Sequence, residues 1–187
     1  PKRAARKAAE AGVDGIIAVS AGAGGHAGTI NPFVLVHEIR EVFDGVILLA
    51  GGLSKGEDLL AAQAMGADLC YLGTRFINTT ESRAEAAYQN MIIEAVSGDI
   101  IHTPAVSGIP ANFMRQSLEA AGYPMDKLNQ AGELNYGDKL KPVDDEAKAW
   151  KTVWSAGQGV SQITDVVSVS DLVGRIGDEY RSARARL

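Results

Sequence analysis

Three short segments place glycine where an apolar run ends: Gly24-Gly25-His26, Ala50-Gly51-Gly52 and Gly73-Thr74-Arg75-Phe76. The runs before them, Val13 to Val19, Gly45 to Leu49 and Asp68 to Leu72, read as buried strands of a parallel sheet. In β/α folds the carboxyl ends of such strands build the ligand site. Glycine there lets the backbone approach a ligand and leaves N–H groups facing it. Two successive glycine loops, each leading into a helix start, suit a phosphate. The chemistry this pattern points to is a phosphate-bearing cofactor held by backbone amides. The alternative is three tight turns with no ligand.

His26 lies inside the first of these loops, and two readings of it stand open. It is either a loop histidine bonded to backbone, or a base or hydrogen-bond donor facing the ligand. Gly22-Ala23-Gly24-Gly25-His26-Ala27 weakly imitates a dinucleotide fingerprint. Two features oppose that reading. The following helix opens only at Asn31-Pro32, and the next strand ends in Ala50-Gly51-Gly52 rather than in a ribose-binding acid. His37, within a helix, and His102, in a proline-containing loop, are assigned structural roles. No histidine pair has metal spacing. Cys70, mid-strand among apolar neighbours, reads as an inert core thiol. Trp150 and Trp154, four residues apart, read as packing. No G-x-S-x-G elbow surrounds Ser107.

The elements that must position these loops alternate. Residues 2–11 read as an amphipathic helix closed by Gly12. Asn31 caps a helix with Pro32 at its first position and an apolar face of Leu35, Ile39, Val42 and Phe43. Ser54 is expected to cap a helix over 55–65. Units of about 30 residues argue for parallel strands joined by helical crossovers. After Thr79 the pattern changes. Ser82-Arg83-Ala84-Glu85 matches a capping box opening a helix to about Ser97. His102–Pro110 reads as loop, helices follow near 112–121 and 145–154, and Ser170 caps a last helix to about Arg184. Phe113, Tyr123, Tyr136, Trp150 and Trp154 either line an apolar pocket or form this portion's own core. The sequence thus reads as a β/α portion, a mostly helical portion and a terminal helix.

Composition narrows the function classes. The 187 residues are 46% hydrophobic and 22% charged, enough apolar surface to fold around a core. Net charge is −5 and no long basic run occurs, which argues against nucleic acid and an anionic membrane surface as partners. One cysteine excludes an internal disulfide framework, and a reducing, cytoplasmic setting is expected. No apolar run reaches the roughly 18 residues of a membrane span. The chain opens at Pro1 and reads as part of something longer or as a processed product.

Gly24-Gly25-His26 with Gly28, Ala50-Gly51-Gly52-Leu53, Gly66-Ala67-Asp68, and Gly73-Thr74-Arg75-Phe76 with Glu81-Ser82 occur in order. Near the end stands Trp154-Ser155-Ala156-Gly157-Gln158-Gly159. Together they resemble the nitronate monooxygenase (2-nitropropane dioxygenase-like) flavoproteins, over most of the chain. The resemblance implies an α/β fold, the carboxyl-terminal portion of an FMN-binding (β/α)8 TIM barrel with a helical lid. Residues 1–78 would be partial barrel, 79–153 the lid, and 154–187 a return segment with the last barrel helix. It implies that His26 is catalytic and that Gly25, Ala50, Gly51, Gly52, Gly73, Thr74 and Gln158 bind FMN. The implied reaction oxidises alkyl nitronates or nitroalkanes with O2 to a carbonyl compound and nitrite. Three parallel strands cannot close a barrel. A complementary amino-terminal half or a homo-oligomer is therefore expected to cover the open edges. Two alternatives remain: a flavin-type enoyl-acyl-carrier-protein reductase using NAD(P)H, and a non-catalytic fragment binding a phosphate ligand or a partner chain.

Overall fold

The computed structural model describes residues 1–128 and 153–187. The helix expected over 145–154 falls almost wholly outside the described residues, as do Tyr136 and Trp150. Helix α1 (Lys2–Glu10) ends at Gly12, whose φ of 74° is the left-handed stop that glycine tolerates. Strand β1 (Gly15–Val19) follows, then the two-residue β2 (Gly25–His26). Helix α2 (Pro32–Arg40) starts as its sequence dictates, the Asn31 side chain accepting from the Phe33 amide at 2.9 Å. Strand β3 (Val46–Ala50), helix α3 (Gly56–Ala64), strand β4 (Leu69–Tyr71) and the short α4 (Thr74–Ile77) complete the β/α portion.

Strands β1, β3 and β4 form one parallel sheet in the order β1-β3-β4. Alternation along each strand sends Ala18, Ile47 and Leu49 to one face, where Leu35, Val36, Ile39 and Ala62 from α2 and α3 cover them. The expectation of strands buried on both faces is corrected here. The opposite face leaves Ile17 49%, Leu69 55% and Tyr71 55% exposed, because no described element packs over it. Among the described residues neither outer edge of the sheet has a partner strand.

Among its described residues, the second portion contains strands that its pattern did not announce. Helix α5 (Ala86–Glu94) leads through a short 3-10 turn to β5 (Ile100–Thr103), then β6 (Ala111–Met114) and helix α6 (Arg115–Ala120). The loop expected over 102–110 thus begins inside a strand, and the helix expected from 112 begins as one. Strands β5 and β6 pair antiparallel, and β6 also pairs with β2, giving a second sheet in the order β2-β6-β5. The Ser82 capping box does not form. The Ser82 hydroxyl accepts from the Ala84 amide in a local turn, so the helix opens after an extended Glu85 instead. Phe113 is fully buried with Leu118 and Val153, and Tyr123 packs against them, which makes both aromatics core.

The last helix, α7 (Val169–Arg184), is capped by Ser168 rather than Ser170, its hydroxyl accepting from the Asp171 amide at 3.0 Å. It docks on α3. A Cβ on Gly56 would overlap the main-chain Tyr180 nitrogen and Ile176 oxygen of α7. Gly56→Ala is expected to cost about 1–3 kcal/mol by overpacking. Urea unfolding checks this, and an unchanged midpoint would mean that α7 does not press on α3 this closely.

Candidate functional site

The three glycine loops meet at one end of the parallel sheet. They enclose a pocket of about 380 Å³ with residues from the 155–159 segment. Of the residues named from sequence, His26, Ala50, Gly51, Gly52, Gly73 and Thr74 line it. Gly25 and Gln158 stand beside it without lining it. Sequence reasoning missed Tyr71, Ser155, Gly157 and Gly159, which also line it. Tyr71 lies at the end of β4, and its alternation onto the open face was the signal available. None of the described lining residues is an Asp, Glu, Lys or Arg. A ligand here meets backbone dipoles, apolar side chains, the hydroxyl-bearing Tyr71, Thr74 and Ser155, and one imidazole.

Each loop is pinned from a distance. The buried Ser20 hydroxyl donates to the Ala50 carbonyl at 2.9 Å, tying the first loop to the second. The Gln158 amide donates to the Gly22 carbonyl at 2.8 Å, and the Gly157 amide to Thr74 Oγ1 at 2.9 Å. Gly157 fits against the first loop because it lacks a side chain; a Cβ there would stand 2.6 Å from the Gly22 oxygen. The 155–159 segment is held in turn by Tyr88, whose hydroxyl donates to the Ser155 carbonyl and whose ring stacks on Trp154 at 5.0 Å. Trp154 is therefore a packing residue, as read from sequence. Burial of Tyr88 pushes its phenol up to about 12, so it remains a donor at neutral pH.

The second loop departs from its expected use. Ser54 does not cap α3; its hydroxyl donates to the Gly159 carbonyl at 3.0 Å. The Asp58 carboxylate takes the Ser54 and Lys55 amides at 2.7 and 2.9 Å. These donors at the start of α3 are already occupied by protein. Gly52 and Gly73 both line the pocket, and a Cβ on either would meet no protein atom within 4 Å. Both therefore border open space that a ligand can enter. Backbone recognition of a phosphate needs open glycine loops of this kind.

Arg75 follows directly after Thr74 and is 3% exposed. Burial draws its guanidinium below the usual value, opposed by Asp165, whose carboxylate it meets at 2.8 Å. Arg175 meets the other oxygen of Asp165 at 2.8 Å, so one carboxylate joins α4 to α7. Asp165→Ala would strand the buried Arg75 charge and is expected to cost about 3–5 kcal/mol. Thermal unfolding against the unchanged chain checks this. A loss below about 1 kcal/mol would mean that Arg75 relaxes to water.

Cys70 faces α2 and α3 in the core and not the pocket. Burial pushes its thiol from the usual 9.0 up to about 11, with Asp58 adding to the shift. A two-unit rise lowers the thiolate fraction near pH 8 by about 100-fold, and alkylation is expected to slow accordingly relative to the unfolded chain. Equal rates in the two states would contradict the inert-thiol reading. Among the described residues no group of His, Cys, Asp or Glu could hold a metal ion. No described helix is long and apolar enough to cross a membrane.

Comparison with known proteins agrees with this geometry. Nitronate monooxygenase from Paraburkholderia phytofirmans is 32% identical over 121 residues, covering 60% of this chain and 33% of that protein. Among solved structures, FabK from Thermotoga maritima superposes with a TM-score of 0.77 at 28% identity, over 99% of this chain and 60% of its own. A nitroalkane oxidase from Streptomyces ansochromogenes gives 0.74 at 26% identity, over 99% of this chain and 56% of its own. The chain thus matches little more than half the length of these solved relatives and a third of the curated one. The fold class is α/β, and the parallel sheet is a portion of a TIM barrel. The family pattern for nitronate monooxygenase matches residues 2–179, and this chain belongs to that family.

Proposed function

We propose that this chain supplies the phosphate cradle and the catalytic histidine of an FMN-dependent oxidoreductase that oxidises alkyl nitronates with O2. One observation carries this reading: His26 and the open glycines Gly52 and Gly73 line the same pocket. The residues fit FMN, because Gly51, Gly52, Gly73 and Thr74 would hold its phosphate through backbone amides. Ala50 borders the same space, and Gly25 and Gln158 secure its rim. When bound, the flavin supplies the electron acceptor between substrate and O2. His26 would hold the nitro group of a nitronate or take the α-proton of a neutral nitroalkane. A neutral imidazole suits the second task near pH 7, and its cation would stabilise the anionic nitronate that results. Ile17, Val19 and Tyr71 line that space, and further β/α units over this open face would exclude water from the exchange.

The open sheet face and unpaired edges require further β/α units. We assign these to a complementary amino-terminal half, on the same or a separate chain, with a homo-oligomer as the other arrangement. The comparison in length with solved relatives supports the first.

The test is turnover by the FMN-loaded protein. Nitrite release from propyl nitronate under air is expected. Bleaching of the flavin by NADH without oxygen, and no nitrite, would instead support the enoyl-acyl-carrier-protein reductase reading.

A further inference from the structure

The loop that carries His26 is held by a side chain far away in sequence. The Asn112 Nδ2 group donates to the Ala23 carbonyl at 2.6 Å, and Asn112 is 4% exposed. Its Oδ1 lies 2.9 Å from His102 Nδ1. The backbone register explains the meeting, since Gly25 pairs with Asn112 and Asn112 with His102 across the β2-β6-β5 sheet. The chemistry at each end fixes the proton positions. Ala23 O is a carbonyl and can only accept, so the Asn112 atom beside it is the amide NH2. The other Asn112 atom is therefore an acceptor, and His102 must carry its proton on Nδ1. That donor is present in both the neutral Nδ1–H tautomer and the imidazolium.

We propose that Asn112, braced by His102, is the positioning residue that sets the aim of His26 by clamping the Ala23 carbonyl of its loop. The proposal rests on His26 being the catalytic group. Contacts from distant residues hold the loop: Ser20 donates its N–H and its hydroxyl to the Ala50 carbonyl, the Gln158 N–H donates to the Gly22 carbonyl, and Asn112 donates to the Ala23 carbonyl. The Gln158 contact is backbone and leaves no single side chain to vary, and the Ser20 hydroxyl holds the far end of the loop. Asn112 is the side chain that acts nearest His26, two residues before the short strand that carries it. His26 and His102 also border one adjoining cavity of about 420 Å³, with Ala27, Gly28 and Ile109. A shift of the loop would therefore move His26 relative to both cavities. Misplacement of a reacting group by about 1 Å costs on the order of 100-fold in rate.

The experiment compares Asn112→Leu and His26→Asn with the unchanged protein, FMN-loaded, and adds NMR on each. In the unchanged protein the His102 ring 15N signals are expected to report the Nδ1–H tautomer. Asn112→Leu is expected to lower kcat by about 10- to 100-fold, with KM for propyl nitronate and FMN retention little altered. Amide exchange over residues 24–28 is expected to accelerate while the β1-β3-β4 sheet keeps its protection. If His26→Asn leaves turnover intact, the functional reading fails. If His26→Asn abolishes turnover and Asn112→Leu does not lower kcat, the positioning role fails alone. An Nε2–H tautomer for His102 in the unchanged protein would also overturn it. Should Asn112→Leu not fold, His102→Phe keeps the ring volume and removes the donor. It is expected to accelerate exchange over the same residues, and no change there would overturn the proposal.

Discussion

Replacing His26 with asparagine is expected to lower turnover of the FMN-loaded protein by about 100- to 10,000-fold, the usual contribution of a positioned acid–base group. FMN should stay bound, because the proposed phosphate contacts are backbone amides of Gly51, Gly52, Gly73 and Thr74 and none involves the imidazole. Asparagine keeps polarity and approximate size but cannot accept a proton at neutral pH. The substitution therefore separates proton transfer from the shape of the pocket. With a neutral nitroalkane as substrate the loss should be larger than with a preformed nitronate, since only the former needs its α-proton removed. Steady-state nitrite release with both substrates checks this. Unchanged turnover on both would remove His26 from the chemistry.

Gly73→Val is expected to abolish FMN retention after desalting. The space a Cβ would enter at Gly73 holds no protein atom within 4 Å, so the fold accepts the side chain. What the branched side chain displaces is the ligand. The valine methyl groups would occupy the volume in which a phosphate meets the Gly73 and Gly52 backbones. Stability should therefore change little while the visible flavin absorbance disappears. Normal retention would remove the 73–74 loop from the phosphate site. A loss of flavin accompanied by unfolding would place the fault in packing instead.

The parts of the fold that could be read from sequence were those whose determinants are local. Asn31-Pro32 carries its own cap and its own φ constraint, and α2 begins where those residues place it. Gly12 stops α1 for an equally local reason. The three glycine loops were legible because each directly follows a run of β-branched and aliphatic residues. Where two local solutions compete, the reading slipped. Ser168 and Ser170 are both competent caps, and the Asp171 amide bonds the earlier one, three residues before it. Ser82 spent its hydroxyl on a turn. The β5 and β6 strands are four residues each and gain their stability from pairing with each other and with β2, which no period within either segment announces. The same limit hid half of the candidate site. His26 and the glycines announce themselves by type and position, whereas Ser155, Gly157 and Asn112 reach the loops from 80 or more residues away and carry no local mark of it.

The central claim is that His26 and the Gly52 and Gly73 loops serve one phosphate-bearing flavin. The most direct test is a titration of the isotopically labelled chain with FMN, followed through its backbone amide signals, with riboflavin as the control lacking phosphate. The account predicts saturable shifts at Gly51, Gly52, Gly73 and Thr74 that riboflavin does not reproduce, together with a shift at His26. Shifts confined to other residues, or identical responses to FMN and riboflavin, would contradict it.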